Sequence, residues 1–429
     1  MNEKKRTRRD FIQNVVITLL SVSAVFLFAQ TQVYNLGVHA GSSYFSFLSG
    51  SSHSADSASP SQAATPSAPV RVAVTGPYGR YGNVTLSTTD AEFEPLDRLL
   101  GEVLGSARTY IACDSRAFQN ALATTSVYYD FLEPLPLSIL AGLVGGTAAE
   151  DDISARRLVV SAQESGVFLY LWDGSGGYFR CATAISRENL ESAAGRYELG
   201  NAAFAFDSTN TDPRFQEVAP YSLFLEEEPV LPVLTAEVSL TDTDGLLTTL
   251  DFNPNTKNRY QESSGTEVIM ESERSLRIYT DGSIYYKSGG NTALTIEAAG
   301  DLPTLQEAVT GASALLNTLL APAAGGAALY LQSIRSSGVS TTLTFGYQMR
   351  GVPIRFADGG SAATVTLSGS AVSTLELRFR RYTPTETNSL LLPLRQALAI
   401  TAAKEPGTEL SIGYTDNGSG SVSAGWLAD

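Results

Sequence analysis

Residues 11–29 form an uncharged, mostly apolar run of 19. As a helix, a run of that length crosses the hydrocarbon core of a bilayer. It follows the tail MNEKKRTRRD, where Lys4, Lys5, Arg6, Arg8 and Arg9 stand against Glu3 and Asp10. Positive flanks stay cytoplasmic, so the pattern predicts one membrane-spanning helix with its N-terminus inside and the rest of the chain extracytoplasmic. A cleaved secretory signal would carry a shorter apolar region, about 7–15 residues, and small residues before its cleavage site. Here Leu27-Phe28-Ala29 puts Leu where a small residue belongs, and the better-suited Val38-His39-Ala40 lies well downstream. Thr7-Arg8-Arg9-Asp10-Phe11-Ile12 is similar to a twin-arginine export signal, although the run after it is more apolar than such signals usually are.

Charge and rare residues narrow what the outer part does. The formal charge is −15; without the tail's five basic and two acidic residues, 24 Lys/Arg face 42 Asp/Glu, a net −18. Such a field repels nucleic acid and anionic lipid, so no nucleic-acid partner is expected. It is also an ordinary route to solubility. Cys113 and Cys181 are the only cysteines. They could form one disulfide or stay as two buried thiols, since spacing alone does not fix the Cα separation. The two histidines, His39 and His53, both lie close after the apolar run. The Ser/Ala/Pro-rich stretch around them has too little apolar patterning to pack. The folded part therefore has no histidine, which excludes Ser-His-Asp and Cys-His sites and histidine-ligated metal. No metal site and no cofactor are expected.

The chain divides into a basic tail (1–10), a membrane helix (11–29), a spacer (30–69) and three α+β segments (70–232, 233–323 and 324–429). In the first, Pro95–Leu104 has helical spacing, with proline in the first turn and Gly105 as its stop. Ala117–Thr124 suggests a second short helix. Residues 126–137, SVYYDFLEPLPL, are β-prone until Pro134 and Pro136. Leu158–Val160 and Val167–Trp172 read as strands, and the Asp173–Gly177 turn leads to a partner at Tyr178–Ile185. In the second segment, Ser275–Thr280 and Ser283–Lys287 flank Asp281-Gly282, a tight-turn pair. Leu305, Ala308, Val309, Ala312, Leu315, Leu316 and Leu319 then share one helical stripe. In the third, 341–354, 362–367 and 409–414 read as strands and Leu390–Ala403 as a helix, with Pro393 in its first turn. Leu375, Leu377 and Phe379 alternate with Glu376, Arg378 and Arg380, giving one buried and one wet face.

Several patterns are weighed and set aside. Asp242-Thr243-Asp244-Gly245 opens like a calcium loop but lacks the remaining ligands at the required spacing, so a surface turn is expected. Asp416-Asn417-Gly418-Ser419-Gly420 is turn chemistry as well. Glu226-Glu227-Glu228 reads as a solvated edge between segments. Within the apolar run, Asn14, Thr18 and Ser21 share one helical face, where small polar groups favour packing against another membrane helix. The alternative places Asn14 near the headgroups, with Thr18 and Ser21 bonded to their own helix.

With the segments in place, the outer part resembles the YycH/YycI family of membrane-anchored regulators. The stretch LDFNPNTKNRYQESSGTEVIMESERSLRIYTDGSIYY carries most of the likeness, through Phe252-Asn253-Pro254, Arg259-Tyr260-Gln261-Glu262, Arg274-Ser275-Leu276-Arg277 and Gly282-Ser283-Ile284-Tyr285-Tyr286. SVYYDFLEPLPLSIL looks like the family's aromatic strand that runs into a proline-bounded turn. Phe345-Gly346-Tyr347, Gly351-Val352-Pro353-Ile354, Gly413-Tyr414 and Trp426 look similar to its C-terminal strands. The spacer is longer than expected for the family, and the body richer in Ala and Gly. The resemblance implies one membrane helix and an extracytoplasmic α+β body whose last two domains are alike. It also implies control of a WalK-type sensor histidine kinase for cell-wall homeostasis, partly through membrane-helix contacts, with a second YycH/YycI-type protein as a further partner. The expected function is thus non-enzymatic regulation of a two-component kinase at the cell membrane. The alternatives are an envelope hydrolase using paired carboxylates and an extracytoplasmic ligand-binding module.

Overall fold

The computed structural model describes residues 71–77, 81–84, 93–144, 153–207, 210–289, 293–300 and 302–428. Those residues form a mixed α+β body with more strand than helix, and all fall in one unit that begins at Gln62. No helix among them is long and apolar enough to cross a membrane. The run 11–29, with Asn14, Thr18 and Ser21, lies outside the described residues.

The first sheet has nine strands in the order β3-β7-β6-β5-β4-β1-β2-β8-β9. Its centre is β1 (Arg71–Thr75), β4 (Ser126–Pro136), β5 (Ser154–Gln163) and β6 (Gly166–Trp172), with β7 (Tyr178–Ala182) and β3 (Ile111–Cys113) towards one edge. β2 (Tyr81–Val84), β8 (Ala202–Phe204) and β9 (Leu223–Leu225) complete the other side. Both faces are covered, so the central strands read as continuous apolar runs rather than as an alternation. Helix α1 (Glu94–Ser106) buries Leu96, Leu99, Leu100, Val103 and Leu104 in the cluster holding Val72, Val127 and Leu158. Helix α2 (Ser115–Leu122) sits with an aromatic layer, where Phe118, Tyr128, Phe204 and Tyr221 pack together.

Two details of this sheet depart from the sequence reading. Helix α1 runs through Gly105 and ends at Ala107, whose N–H donates to the Val103 carbonyl. The β4 strand runs through Pro134 and ends at Pro136, so only the first of the two expected stops fails. Its register shifts between Asp130 and Leu135, with Leu132 at φ +66°. This bulge carries Pro134 past the ladder, where a missing N–H costs nothing.

The second large sheet has eleven strands, and the segments 233–323 and 324–429 share it. The hairpin of β13 (Arg274–Ile278) and β14 (Ser283–Ser288), turned by Gly282 at φ +82°, pairs directly with β19 (Ala371–Arg378). Next come β18 (Ala363–Ser368), β16 (Ser340–Met349), β17 (Val352–Phe356), β21 (Leu410–Asp416) and β23 (Ala424–Ala428). Helix α6 (Leu305–Leu319) starts in a capping box: Thr304 accepts from the Glu307 N–H while Glu307 accepts from the Thr304 N–H. It buries Ala308, Val309, Ala312, Leu316 and Leu319 of the expected stripe, together with Ser313. Helix α7 (Leu394–Lys404) begins after Pro393 and leaves Leu390 exposed.

The expected alternation holds from Leu375 to Phe379, which is buried as expected, and then resets. At Phe379 the chain leaves the second large sheet, and β20 (Arg380–Asn388) pairs instead with β10 (Pro232–Val238) in a three-stranded sheet. Arg380, expected on the wet face, is therefore buried. Its Nε and Nη2 each donate to Asp416 at 2.9 Å, and the Tyr382 hydroxyl donates to the same carboxylate at 2.8 Å. Asp416 is thus more than a turn residue, although its Oδ1 also accepts from the Gly418 N–H. Asp242 caps a short helix, Thr243–Thr249, by accepting from the Gly245 N–H, and closes no calcium loop.

Candidate functional site

One row of side chains crosses the first sheet in register: Arg71 opposite Asp130, Asp130 opposite Arg157, Arg157 opposite Trp172, and Trp172 opposite Tyr178. Neighbours in such a row are the closest side-chain pairs a sheet offers. The result is a charge row closed by aromatic rings. The Arg157 guanidinium lies 4.5 Å from the centre of the Trp172 ring and 5.2 Å from that of Tyr221. Arg156 reaches the same row through Nε, 3.2 Å from Asp130 Oδ1. Glu409, immediately before β21 of the other large sheet, completes it. It accepts from Arg71, from Arg156 Nη2 at 2.5 Å and from Arg157 Nη2 at 2.5 Å. Three guanidinium groups and two carboxylates thereby join the two sheets.

The cluster is out of water: Asp130, Arg157 and Glu409 are all buried. Burial alone would push the Asp130 carboxyl up, but Arg156, Arg157, Arg71 and the Leu132 N–H hold it well below the usual carboxylate range. Burial and Asp130 likewise oppose ionisation of Glu409, and Arg71, Arg157 and Arg156 outweigh them. Both carboxylates stay ionised, the state of a structural ion pair. A general acid needs the opposite shift, so this pair lends nothing to carboxylate-driven hydrolysis.

Beside Arg71 lies a cavity of about 210 Å³. Leu223, Leu225, Leu231, Pro353, Ile412 and Trp426 give it apolar walls, while Arg71, Arg350, Glu228 and Ser411 supply its polar groups. Glu226, Glu227 and Glu228 are exposed, as expected of a solvated edge, and Glu228 also accepts from the Leu394 N–H at the start of α7 at the rim of the cavity. A larger groove of about 610 Å³ on the second large sheet is polar, with Glu133, Arg335, Glu376 and Arg378 along it. There Arg378 pairs with Asp358 at 2.7 Å.

The cysteines form no bridge: Cys113 and Cys181 are both free. On the paired strands β3 and β7, Cys113 stands opposite Tyr178, three positions from Cys181. An odd offset puts the two thiols on opposite faces. Cys181 accordingly joins the core under α1, and Cys113 borders the aromatic layer. Among the described residues no group of three or more His, Cys, Asp or Glu could hold a metal ion.

Sequence reasoning did not find the ion cluster or the cavity. Arg71 and Glu409 are 338 positions apart, and only the fold brings them together. The one local signal was Arg156-Arg157 leading into the apolar run Leu158–Val160, since two adjacent charges on a strand covered on both faces need buried partners.

No family model matches the chain, and no curated protein matches it. A solved structure that does match is the crystal structure of an uncharacterized protein from Eubacterium rectale ATCC 33656. It is 12% identical, over 47% of this chain and 76% of that chain, with a TM-score of 0.27, too low to carry an argument.

Proposed function

We propose that the chain is a membrane-anchored extracytoplasmic regulator that works by contact, and that its partner is a sensor histidine kinase of the WalK type. The observation that carries this reading is the apolar run 11–29 behind a basic tail, followed by a spacer and a body without histidine. The resemblance to YycH/YycI regulators supplies the partner's class. The cross-sheet ion cluster supports the same reading, because a body tied at its junction can present one fixed surface. Regulation requires that this surface, or the Asn14, Thr18 and Ser21 face of the anchor, bind two kinase states unequally; equal binding shifts nothing. The spacer keeps the body near its target and raises its effective concentration.

Co-purification from membranes tests this, comparing the native anchor with an unrelated helix in its place. Loss of kinase recovery and of wall-stress signalling on the swap assigns the contact to the anchor. Recovery unchanged by the swap refutes the anchor mechanism and leaves the body as the contact. No kinase recovered with either anchor refutes the regulatory reading. The cavity beside Arg71 favours a second reading, a ligand-binding module, which is independent of the kinase.

A further inference from the structure

The ion cluster and the cavity next to it do not balance in charge. Among the described residues, Arg71, Arg156 and Arg157 face only Asp130 and Glu409, leaving one positive charge in excess. The excess appears at a defined atom. Nη2 of Arg71 is buried without a hydrogen-bond partner, and Arg71 lines the cavity. A second orphan lies on the same wall: Ser411, 3% exposed, has a buried Oγ with no partner. Buried donors left unpaired are costly, and they are rare enough in native proteins that each asks for a cause. The other two charged groups on the cavity, Arg350 and Glu228, cancel in sign, so the surplus at Arg71 stands. The remaining walls are hydrocarbon and one indole.

We propose that this cavity is a binding site for a monocarboxylate with a compact apolar tail, its carboxylate seated on Arg71 Nη2 and Ser411 Oγ. Such a ligand satisfies both orphans, neutralises the single surplus charge and covers the apolar walls. A charged guanidinium–carboxylate contact is among the stronger hydrogen bonds a protein offers. At about 210 Å³ the cavity is somewhat larger than one of about 150 Å³ that takes up benzene, and so matches the size of one ring with a short stem. Inorganic phosphate fits poorly, since it has no apolar part, brings more charge than the surplus and meets the Glu228 carboxylate. The same chemistry occurs in a free acid and at the C-terminus of a peptide ending in an apolar residue.

Isothermal titration of the full chain with phenylacetate, against its neutral isostere phenylacetamide and against inorganic phosphate, tests the assignment. Acetyl-Ala-Phe with a free and with an amidated C-terminus separates the two sources. The expected result is that phenylacetate or the free-acid peptide binds at least about tenfold tighter than its amide, the scale of one charged hydrogen bond. Phosphate should not compete. Arg71→Met should weaken binding by about tenfold or more, and Ser411→Ala by about three- to tenfold. Arg335→Gln, at an exposed arginine of the separate polar groove and outside this cavity, should leave affinity within about twofold. Should Arg71→Met fail to fold, the Ser411→Ala comparison carries the test. Acids and amides binding alike, phosphate competing as well as phenylacetate, no binding of either acid, or affinity unmoved by Ser411→Ala would each overturn the proposal.

Discussion

Glu409→Gln keeps the shape of the side chain and removes one charge from the cross-sheet cluster, leaving three buried guanidinium groups on Asp130 alone. Stripping one partner from a buried ion network costs about 3–5 kcal/mol, because the remaining charges stay desolvated without compensation. Against a total stability of about 5–15 kcal/mol that is a large share, and it should lower Tm on the order of 10 °C. Arg71→Met changes the cluster in the opposite sense. Two guanidinium groups then face two carboxylates, and an apolar stem replaces an arginine with an orphaned N–H. Its cost should stay below about 2 kcal/mol. Thermal and urea melts of the two variants beside the native protein measure the asymmetry. A pH series adds a second check. The Glu409 carboxyl is held below its ordinary value in the fold, so its stabilisation is present above the unfolded pKa and lost as pH falls through the folded one. The gap between native protein and Glu409→Gln should therefore be widest near neutrality and narrow in acid. Arg71→Met as damaging as Glu409→Gln, or a gap that does not narrow in acid, refutes the charge-balance reasoning.

Burial pushes the Asp97 carboxyl in α1 up to about 7; a raised carboxyl stabilises while protonated and loses that contribution as pH rises through the folded value. Asp97→Asn should thus match the native protein in urea midpoint only near or below about pH 3.5, exceed it increasingly as pH rises, and exceed it most above about pH 7; equal midpoints at both ends count against the burial argument. Gly346 stands opposite Tyr330, and a Cβ there would lie 2.6 Å from the tyrosine ring. Gly346→Ala should cost about 1–3 kcal/mol by overpacking, and an unchanged melt would contradict it. With both thiols free, alkylation in denaturant without reductant should add two adducts by mass; none would mean a disulfide.

Short-range chemistry made part of this fold legible. The Asp281-Gly282 turn, the α6 stripe and proline in the first turn of α1 each depend on residues a few positions apart. Errors arose where distant partners decide. Pro136 does end its strand, but Pro134 read as a terminator because sequence does not reveal the bulge that absorbs it. Arg380 read as exposed because the change of sheet at Phe379 resets the alternation. The ion cluster and the cavity are assembled from both ends of the body, so neither leaves a motif. Asp416 shows the same limit: its local pattern suggested a turn, while its charge answers Arg380.

Because Glu409 closes a row begun at Arg71, the order of synthesis matters. All strands of the first sheet have been made by Leu225, yet its arginine row then holds three positive charges against one negative. It stays so until Glu409, just before β21, emerges. A ribosome-bound or truncated product ending near residue 230 should therefore remain loose and protease-sensitive, and the body should lock only after Glu409 arrives. Completion, rather than nucleation of the first sheet, then sets when the body becomes fixed.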